Sequence, residues 1–364
     1  MGHPWARPLK KTENPSMTDR LRFALFGAGN IGERHLRLAA AHSQCAVVAV
    51  ADPSDHSKKL AKEFSAQHFT DFKVLLAEAK VDGAIIATPN DLHASIALEC
   101  VEAGVPVLVE KPITDTVSSG EALIEAAESR GVALAVGHHR RFDPVIEIAK
   151  NLIDAGELGK LVAVECIWAL RKHDSYYEAP WRTTRPSGGP ALINLIHDLD
   201  LLRYLAGDIV KLYAQGGAIG RTHEVEDTLS VSIRFSTGAV GSVIASDATP
   251  SPWGWEQGTG ENPEVPETGQ PCFKLLGTEA SLAVPTLELW RHAERTNANW
   301  HHPLRSNLIP QSARQSLQNQ LTHFCGVVRG DHAPRVSGQD ALHTLKAVDG
   351  IHQSLATHLP VSLV

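Results

Sequence analysis

The chain has 364 residues, more than the roughly 250 to 300 at which a single core stops growing, so two folded domains are expected. Hydrophobic residues at 43% and charged residues at 21% suit ordinary cores, and no apolar run approaches the ~20 residues of a membrane helix. A net charge of -7 without a concentrated basic stripe argues against a nucleic-acid partner, Lys10-Lys11 and Arg140-Arg141 being small local exceptions.

Cys45, Cys100, Cys166, Cys272 and Cys325 are scattered without paired spacing. That distribution suits reduced thiols in a cytoplasm rather than a disulfide framework or zinc site, so a cytoplasmic protein without a metal is expected. Residues 1–20 are polar, carry Pro4, Pro8 and Pro15, and lack the apolar core of a secretory signal. They read as a flexible extension, with Met17 an alternative start.

From Arg22 to Val136, short apolar runs alternate with helical patterns, the sequence form of a doubly wound parallel sheet. The runs are Phe23–Phe26, Ala46–Val50, Gly83–Ala87, Val105–Val109 and Val132–Val136. Leu92, Ile96, Ala97 and Cys100 recur at the spacing of one buried helix face.

The first run leads straight into Gly27-Ala28-Gly29-Asn30-Ile31-Gly32 and then a helical stretch. Gly27 permits the tight turn, Gly29 lets backbone amides approach a pyrophosphate, and Gly32 allows close helix–strand packing. Asn30 and Ile31 open the helix whose N-terminus faces the phosphates. Asp52 ends the second run, placed to accept hydrogen bonds from ribose hydroxyls and to repel a 2′-phosphate. NAD is therefore favoured over NADP, and Lys58-Lys59 are expected on a solvated helix face. Thr88-Pro89-Asn90 follows the strand-like run ending at Ala87, which makes Thr88 and Asn90 candidate cofactor contacts, although Asn90 could equally cap a helix. His93, one helical step in, reads as structural.

Glu110-Lys111-Pro112 directly follows the run Val105–Val109. A parallel strand would deliver the Lys111 amine to a ligand crevice, where it could hydrogen-bond a substrate oxygen and partial desolvation would lower its pKa. Beyond Pro144 the pattern becomes alternating and antiparallel-looking: Leu161–Trp168, then Thr228–Phe235 and Ala239–Ser246 around a Ser236-Thr237-Gly238 hairpin turn. Between them, Gly188-Gly189-Pro190 leads into a helix expected to hold Asn194 and His197 on one face, both toward Lys111. A histidine suits general-base work on a hydroxyl. Arg182, beside Trp181 and near Arg185, could place a cation for a carboxylated substrate or pair with Asp174. The segment Pro250–Pro271, with Trp253 and Trp255, has the length of a lid or an interface arm. His301-His302 reads as surface.

These residues together resemble the Gfo/Idh/MocA family of NAD(P)-dependent oxidoreductases, from about Leu21 onward. The resemblance rests on the glycine turn, Thr88-Pro89-Asn90 with His93, Glu110-Lys111-Pro112, the segment Val136-Gly137-His138-His139-Arg140-Arg141-Phe142-Asp143-Pro144, and Ser187-Gly188-Gly189 through His197-Asp198-Leu199-Asp200. It implies a Rossmann domain over residues 21–142. It further implies an α+β substrate and oligomerisation domain over 143–364, with a large open, mostly antiparallel sheet whose exposed face makes a homodimer or homotetramer. The C-terminal helix could pack back on the first domain. By the same resemblance Lys111 and His197 are catalytic; Asn194, Arg182, His139 and Arg141 are candidate substrate contacts, and Glu110 with Lys111 are candidate cofactor contacts. The implied activity is NAD-dependent hydride transfer at a secondary alcohol of a sugar, cyclitol or related cyclic polyol. A carboxylated or dihydrodiol substrate, an NAD-recycling glycosidase and a dinucleotide-binding regulator remain alternatives. One position departs from the pattern: similar proteins place an aspartate four residues before the histidine, where Ile193 stands here. Asp200 could compensate, a role left open, and more of the polarising work is expected of Lys111.

Overall fold

A computed structural model describes residues 20–185, 187–294 and 298–363; the expected N-terminal extension, including Met17, lies outside them except for Arg20. The first part of the chain alternates strictly. It runs β1 (Leu21–Phe26), α1 (Asn30–Ala41), β2 (Cys45–Ala51), α2 (Asp55–Glu63), β3 (Gln67–Phe69), α3 (Phe72–Glu78), β4 (Gly83–Ile86), α4 (Asn90–Glu102), β5 (Val107–Val109), α5 (Val117–Arg130) and β6 (Leu134–Val136). Side chains set several helix starts: Ser54, Asp71 and Thr116 each accept a backbone N–H of the first turn. The six strands pair in parallel in the order β3-β2-β1-β4-β5-β6. The order reverses between β1 and β4, which opens a crevice at their C-terminal ends. Helices cover both faces, so β1 and β4 are buried almost throughout.

Two strands are shorter than their apolar runs. Pro106 has no N–H to donate and lies outside β5, while the Val132 N–H is used by Ala127 O at the end of α5. β3, three half-exposed residues at the sheet edge, carries too little apolar pattern to be read from sequence.

The second part follows a 3-10 turn, His139–Phe142, and comprises α6 (Pro144–Asp154), β7 (Leu161–Ala169), a π-helical turn at Ala191–Leu195, α7 (Ile196–Ala206), β8 (Ile209–Gly217), β9 (Thr228–Phe235), β10 (Val240–Ser246), α8 (Trp255–Thr259), β11 (Phe273–Gly277), β12 (Ser281–Val284), β13 (Glu288–His292), β14 (Leu304–Leu308), α9 (Ser316–Arg329), α10 (Gly338–Thr357) and β15 (Val361–Ser362). Its nine-stranded sheet has the order β14-β13-β12-β11-β7-β10-β9-β8-β15. All neighbours are antiparallel except β7 and β10. The expected β9–β10 hairpin forms, with Gly238 at φ +88°. Burial alternates strictly along β9, so one face packs on the helices and the other is open.

The last helices tie the two sheets together. α9 packs Leu321, Phe324 and Val327 on Phe23 and Leu25 of β1, and full burial of a side chain such as Phe324 contributes about 1.5–3 kcal/mol. α10 lies against α5 and β6 of the first sheet and α7 and β8 of the second. Among the described residues, no helix is long and apolar enough to cross a membrane.

Candidate active site

The crevice between β1 and β4 is shaped by its glycines. Gly27 has φ +84°, and a Cβ there would lie 2.6 Å from Ala87 O; a Cβ on Gly32 would lie 2.1 Å from Gly27 O. A Cβ on Gly29 would meet nothing within 4 Å, so this position faces open space. α1 begins at Asn30 without a side-chain cap, which leaves the amides of Asn30, Ile31 and Gly32 available to an anion. Asp52 folds back on the turn: Oδ2 accepts from Ala28 N (2.9 Å), and Oδ1 from Ser54 N (2.8 Å) and Ser54 Oγ (2.6 Å). Burial works to raise its pKa, but these hydrogen bonds outweigh it and hold the carboxylate below its ordinary range. Lys58 and Lys59 are exposed on α2, as expected.

On the β4 side, Thr88 Oγ1 is buried without a partner, and α4 starts with no side-chain cap, so Asn90 does not act as one. His93 is internal, its ring nitrogens 2.7 Å from Pro112 O and 3.0 Å from Thr88 O, in keeping with a structural role. An uncapped helix start, an open glycine, an ionised acid and an unpaired hydroxyl fit a dinucleotide. Gly27, Gly29, Asn30, Ile31, Gly32, Asp52, Thr88 and Asn90 are the residues that would hold it.

Lys111, half-buried at the end of β5, donates from Nζ to Ile193 O at 3.0 Å. Burial lowers its pKa; Glu110 opposes the shift and Arg140 adds to it. His197 follows the π turn that supplies Ile193 O. Its Nδ1 is buried without a partner, and burial, then the positive charges of Lys111 and Arg140, push its pKa well below 6.5. A neutral imidazole beside an ammonium can take a proton from a hydroxyl while the ammonium steadies the oxygen. The His139 ring lies edge-on to His197 at 5.3 Å, and its Nε2 is 2.9 Å from Glu261 Oε1.

Several sequence expectations need correction. Arg141 was expected at the substrate, but it is buried and spends its guanidinium on Asp200 (Nε–Oδ2 2.7 Å, Nη2–Oδ1 2.6 Å) and Asp340. Asp200 also accepts from Thr344 Oγ1 at 3.1 Å, so it is committed to Arg141 and cannot replace the missing carboxylate at Ile193. Glu110, expected at the cofactor, is buried and has both carboxylate oxygens engaged inside the protein. Its Oε1 pairs with His35 Nε2 at 2.7 Å and its Oε2 accepts from Lys111 N at 3.2 Å. Although burial works against it, the His35 contact holds this carboxyl down at about 2. Asn194 lies in a π turn rather than in the regular helix expected for it. Its Oδ1 accepts from Lys172 Nζ at 2.7 Å. Arg182 makes no ion pair with Asp174 among the described residues; it donates to Tyr176 O at 2.6 Å and stacks on that ring. The Pro250–Pro271 segment is no free lid at its centre. α8 is buried, with Trp255 Nε1 donating to Glu261 Oε1 (3.1 Å), while Trp253 stays exposed.

Sequence reading missed Lys172, Glu256, Glu261 and the role of Arg140. Arg140 is buried among Asp198, Glu256 and Glu261, and with His139 it forms the floor beneath His197. Lys172 carried a usable signal, a cation just past a strand end, the argument that singled out Lys111. Glu256 and Glu261 sit in a polar stretch without periodicity, and nothing local marks them. The five cysteines are free thiols, as expected, although His42, Cys45 and Cys325 bring ligand atoms within 4.8 Å of one another at the opposite end of the sheet. Both His42 nitrogens are already engaged, by Thr322 Oγ1 (2.9 Å) and Gln44 N (3.2 Å).

Comparison with known proteins agrees with this geometry. Residues 21–138 match the model of an oxidoreductase family with an NAD-binding Rossmann fold, and residues 146–283 match the GFO/IDH/MocA C-terminal domain. The chain is 28% identical over 366 aligned residues to scyllo-inositol 2-dehydrogenase (NAD(+)) of Bacillus subtilis, covering 95% of this chain and 97% of the relative. It is 31% identical over 239 residues to 4-carboxy-2-hydroxymuconate-6-semialdehyde dehydrogenase of a Sphingobium species, covering 64% and 74%. The fold matches that of the WlbA dehydrogenase of Bordetella pertussis, solved with NADH and UDP-GlcNAcA, at a TM-score of 0.77 and 23% identity over 95% of this chain and 99% of that one. The chain belongs to the Gfo/Idh/MocA family and is an NAD(P)-dependent oxidoreductase acting on CH–OH groups, with NAD as its cofactor.

Proposed function

We propose that this protein is a dehydrogenase for a secondary alcohol of a sugar, cyclitol or related cyclic polyol, with Lys111 and His197 as its catalytic residues. The observation that carries the reading is their convergence on one π turn: Lys111 Nζ on Ile193 O, His197 two residues after that turn ends. The full-length similarity to an inositol dehydrogenase supports the substrate class.

One N–H of the Lys111 ammonium is spent on Ile193 O, so two remain to hold the substrate oxygen. His197, neutral because burial and neighbouring cations keep its pKa low, accepts the hydroxyl proton as the carbonyl forms. Arg140, Glu261 and His139 fix the floor under the imidazole. NAD, when bound, supplies the hydride acceptor. No carboxylate stands at Ile193, so Lys111 carries the polarisation of the oxygen.

The test is NADH formation with a panel of inositols, aldoses, anhydrosugars and sugar acids. Lys111→Ala and His197→Ala should each lower kcat by ~10²- to 10⁴-fold with NAD affinity retained. Near-normal kcat in either variant, or no NADH from any polyol, would sink this reading.

A further inference from the structure

Beyond the reacting pair, a second group of cations gathers around Tyr176, beside the π turn. Lys172, three residues past β7, is buried, donates to Asn194 Oδ1 at 2.7 Å and lies 3.5 Å from Asp247 Oδ2. An ammonium can only donate, so it fixes the Asn194 amide with its oxygen toward Lys172 and its NH₂ turned away. That NH₂ has no hydrogen-bond partner among the described residues. Asn194 adjoins Ile193, which receives Lys111, so this fixed donor stands beside the reacting groups.

Arg182 stands over the same aromatic. Its guanidinium lies 4.0 Å from the centroid of the Tyr176 ring and 5.1 Å from that of Trp181, while the Lys172 ammonium is 4.2 Å from Tyr176. Nη1 donates to Tyr176 O, and Nε is buried without a partner. Three nearby cations have carboxylates: Arg185 has Glu226, and Lys172 and Arg221 share Asp247. Arg182 has none among the described residues. Stacking pre-orients it, and an enclosed donor left unmet costs free energy that an anionic ligand would recover.

We propose that Arg182, with Lys172 and the Asn194 amide, forms a carboxylate subsite, so that the substrate is a polyol acid: its carboxylate at Arg182, its reacting hydroxyl between Lys111 and His197. Carboxylate is the fitting anion because the unpaired Nε–Nη2 edge of a guanidinium matches its two oxygens. The proposal rests on the dehydrogenase reading for the hydroxyl end only.

Calorimetric titration of the full chain in the presence of NAD, using D-glucuronate, D-galacturonate, D-gluconate and L-tartrate, each against its neutral amide, tests the subsite. At least one acid should bind about 10- to 100-fold more tightly than its amide, the worth of a hydrogen bond to a charged group. Arg182→Gln should abolish the preference, and Arg171→Gln, an exposed neighbour, should keep it. If Arg182→Gln does not fold, Lys172→Met should weaken the preference by the same route. Binding of no acid, equal binding of acid and amide, or a preference that survives the variant that folds would overturn the subsite. Acid binding without any NADH formation would leave the subsite standing and overturn the dehydrogenase reading; turnover of polyols with no acid preference would do the reverse.

Discussion

Gly29 and Gly32 sit three residues apart in one turn and answer to different constraints. A methyl at Gly32 would collide with Gly27 O, whereas one at Gly29 would meet only open space. Gly32→Ala should therefore lower the melting temperature. Gly29→Ala should melt normally yet weaken NAD binding by about 10-fold or more, ~1.4 kcal/mol, if the open space is the cofactor's; equilibrium titration with NAD checks this. Asp52→Asn keeps much of the turn but removes the charge, so the ratio of kcat/KM for NADP over NAD should rise. The pH profile follows from His197 and Lys111. His197 must be neutral to take a proton, and its pKa lies well below 6.5, so the acid limb of kcat/KM should fall below that pH. Lys111 must be charged, and its pKa is lowered from 10.5, so the alkaline limb should begin below 10.5.

Among the elements, α7 and α10 are joined to the His139–Phe142 turn by Arg141, which lies between Asp200 and Asp340. Removing the guanidinium leaves Asp200 as an uncompensated buried charge. Arg141→Met should cost about 3–5 kcal/mol, and Arg141→Met with Asp200→Leu should regain much of that. Urea denaturation of the two variants measures both effects. If Arg141 instead bound substrate, KM would rise with stability unchanged.

The molecule as a whole buries histidines that cannot easily be protonated. Burial holds His138 and His323 at about 4 in the folded chain, against roughly 6.5 when unfolded. Between those values the unfolded chain binds more protons, so stability should fall as pH drops from 6.5 to 4, with no contribution from these groups above 6.5. Melting temperature against pH should show that slope, shallower in His138→Phe. The open face of the second sheet carries Ile167, Val240, Ile244, Leu276 and Trp290 on one side of the register, an apolar patch for a monomer to expose. We propose that it pairs with a second copy. Light scattering should give at least a dimer, and Ile244→Glu should shift it toward monomer.

Local pattern alone determined the alternation of the first sheet, the glycine turn, Asp52 and the strand-end Lys111. Each depends on a period or spacing within about 20 residues, and covalent connectivity fixes what lies that close in the chain. Antiparallel β9 and β10 were equally legible, since a hairpin is a local event. Tertiary structure decided which charges face the cleft. Arg141 and Glu110 look like site residues in sequence, yet each is engaged by a partner distant in the chain, Asp200 and His35. Lys172 and Arg182 meet only because β7, the following loop and the π turn converge on Tyr176. A charge's role depends on whether a counter-charge reaches it, and that partner comes from folding rather than from neighbours in the chain.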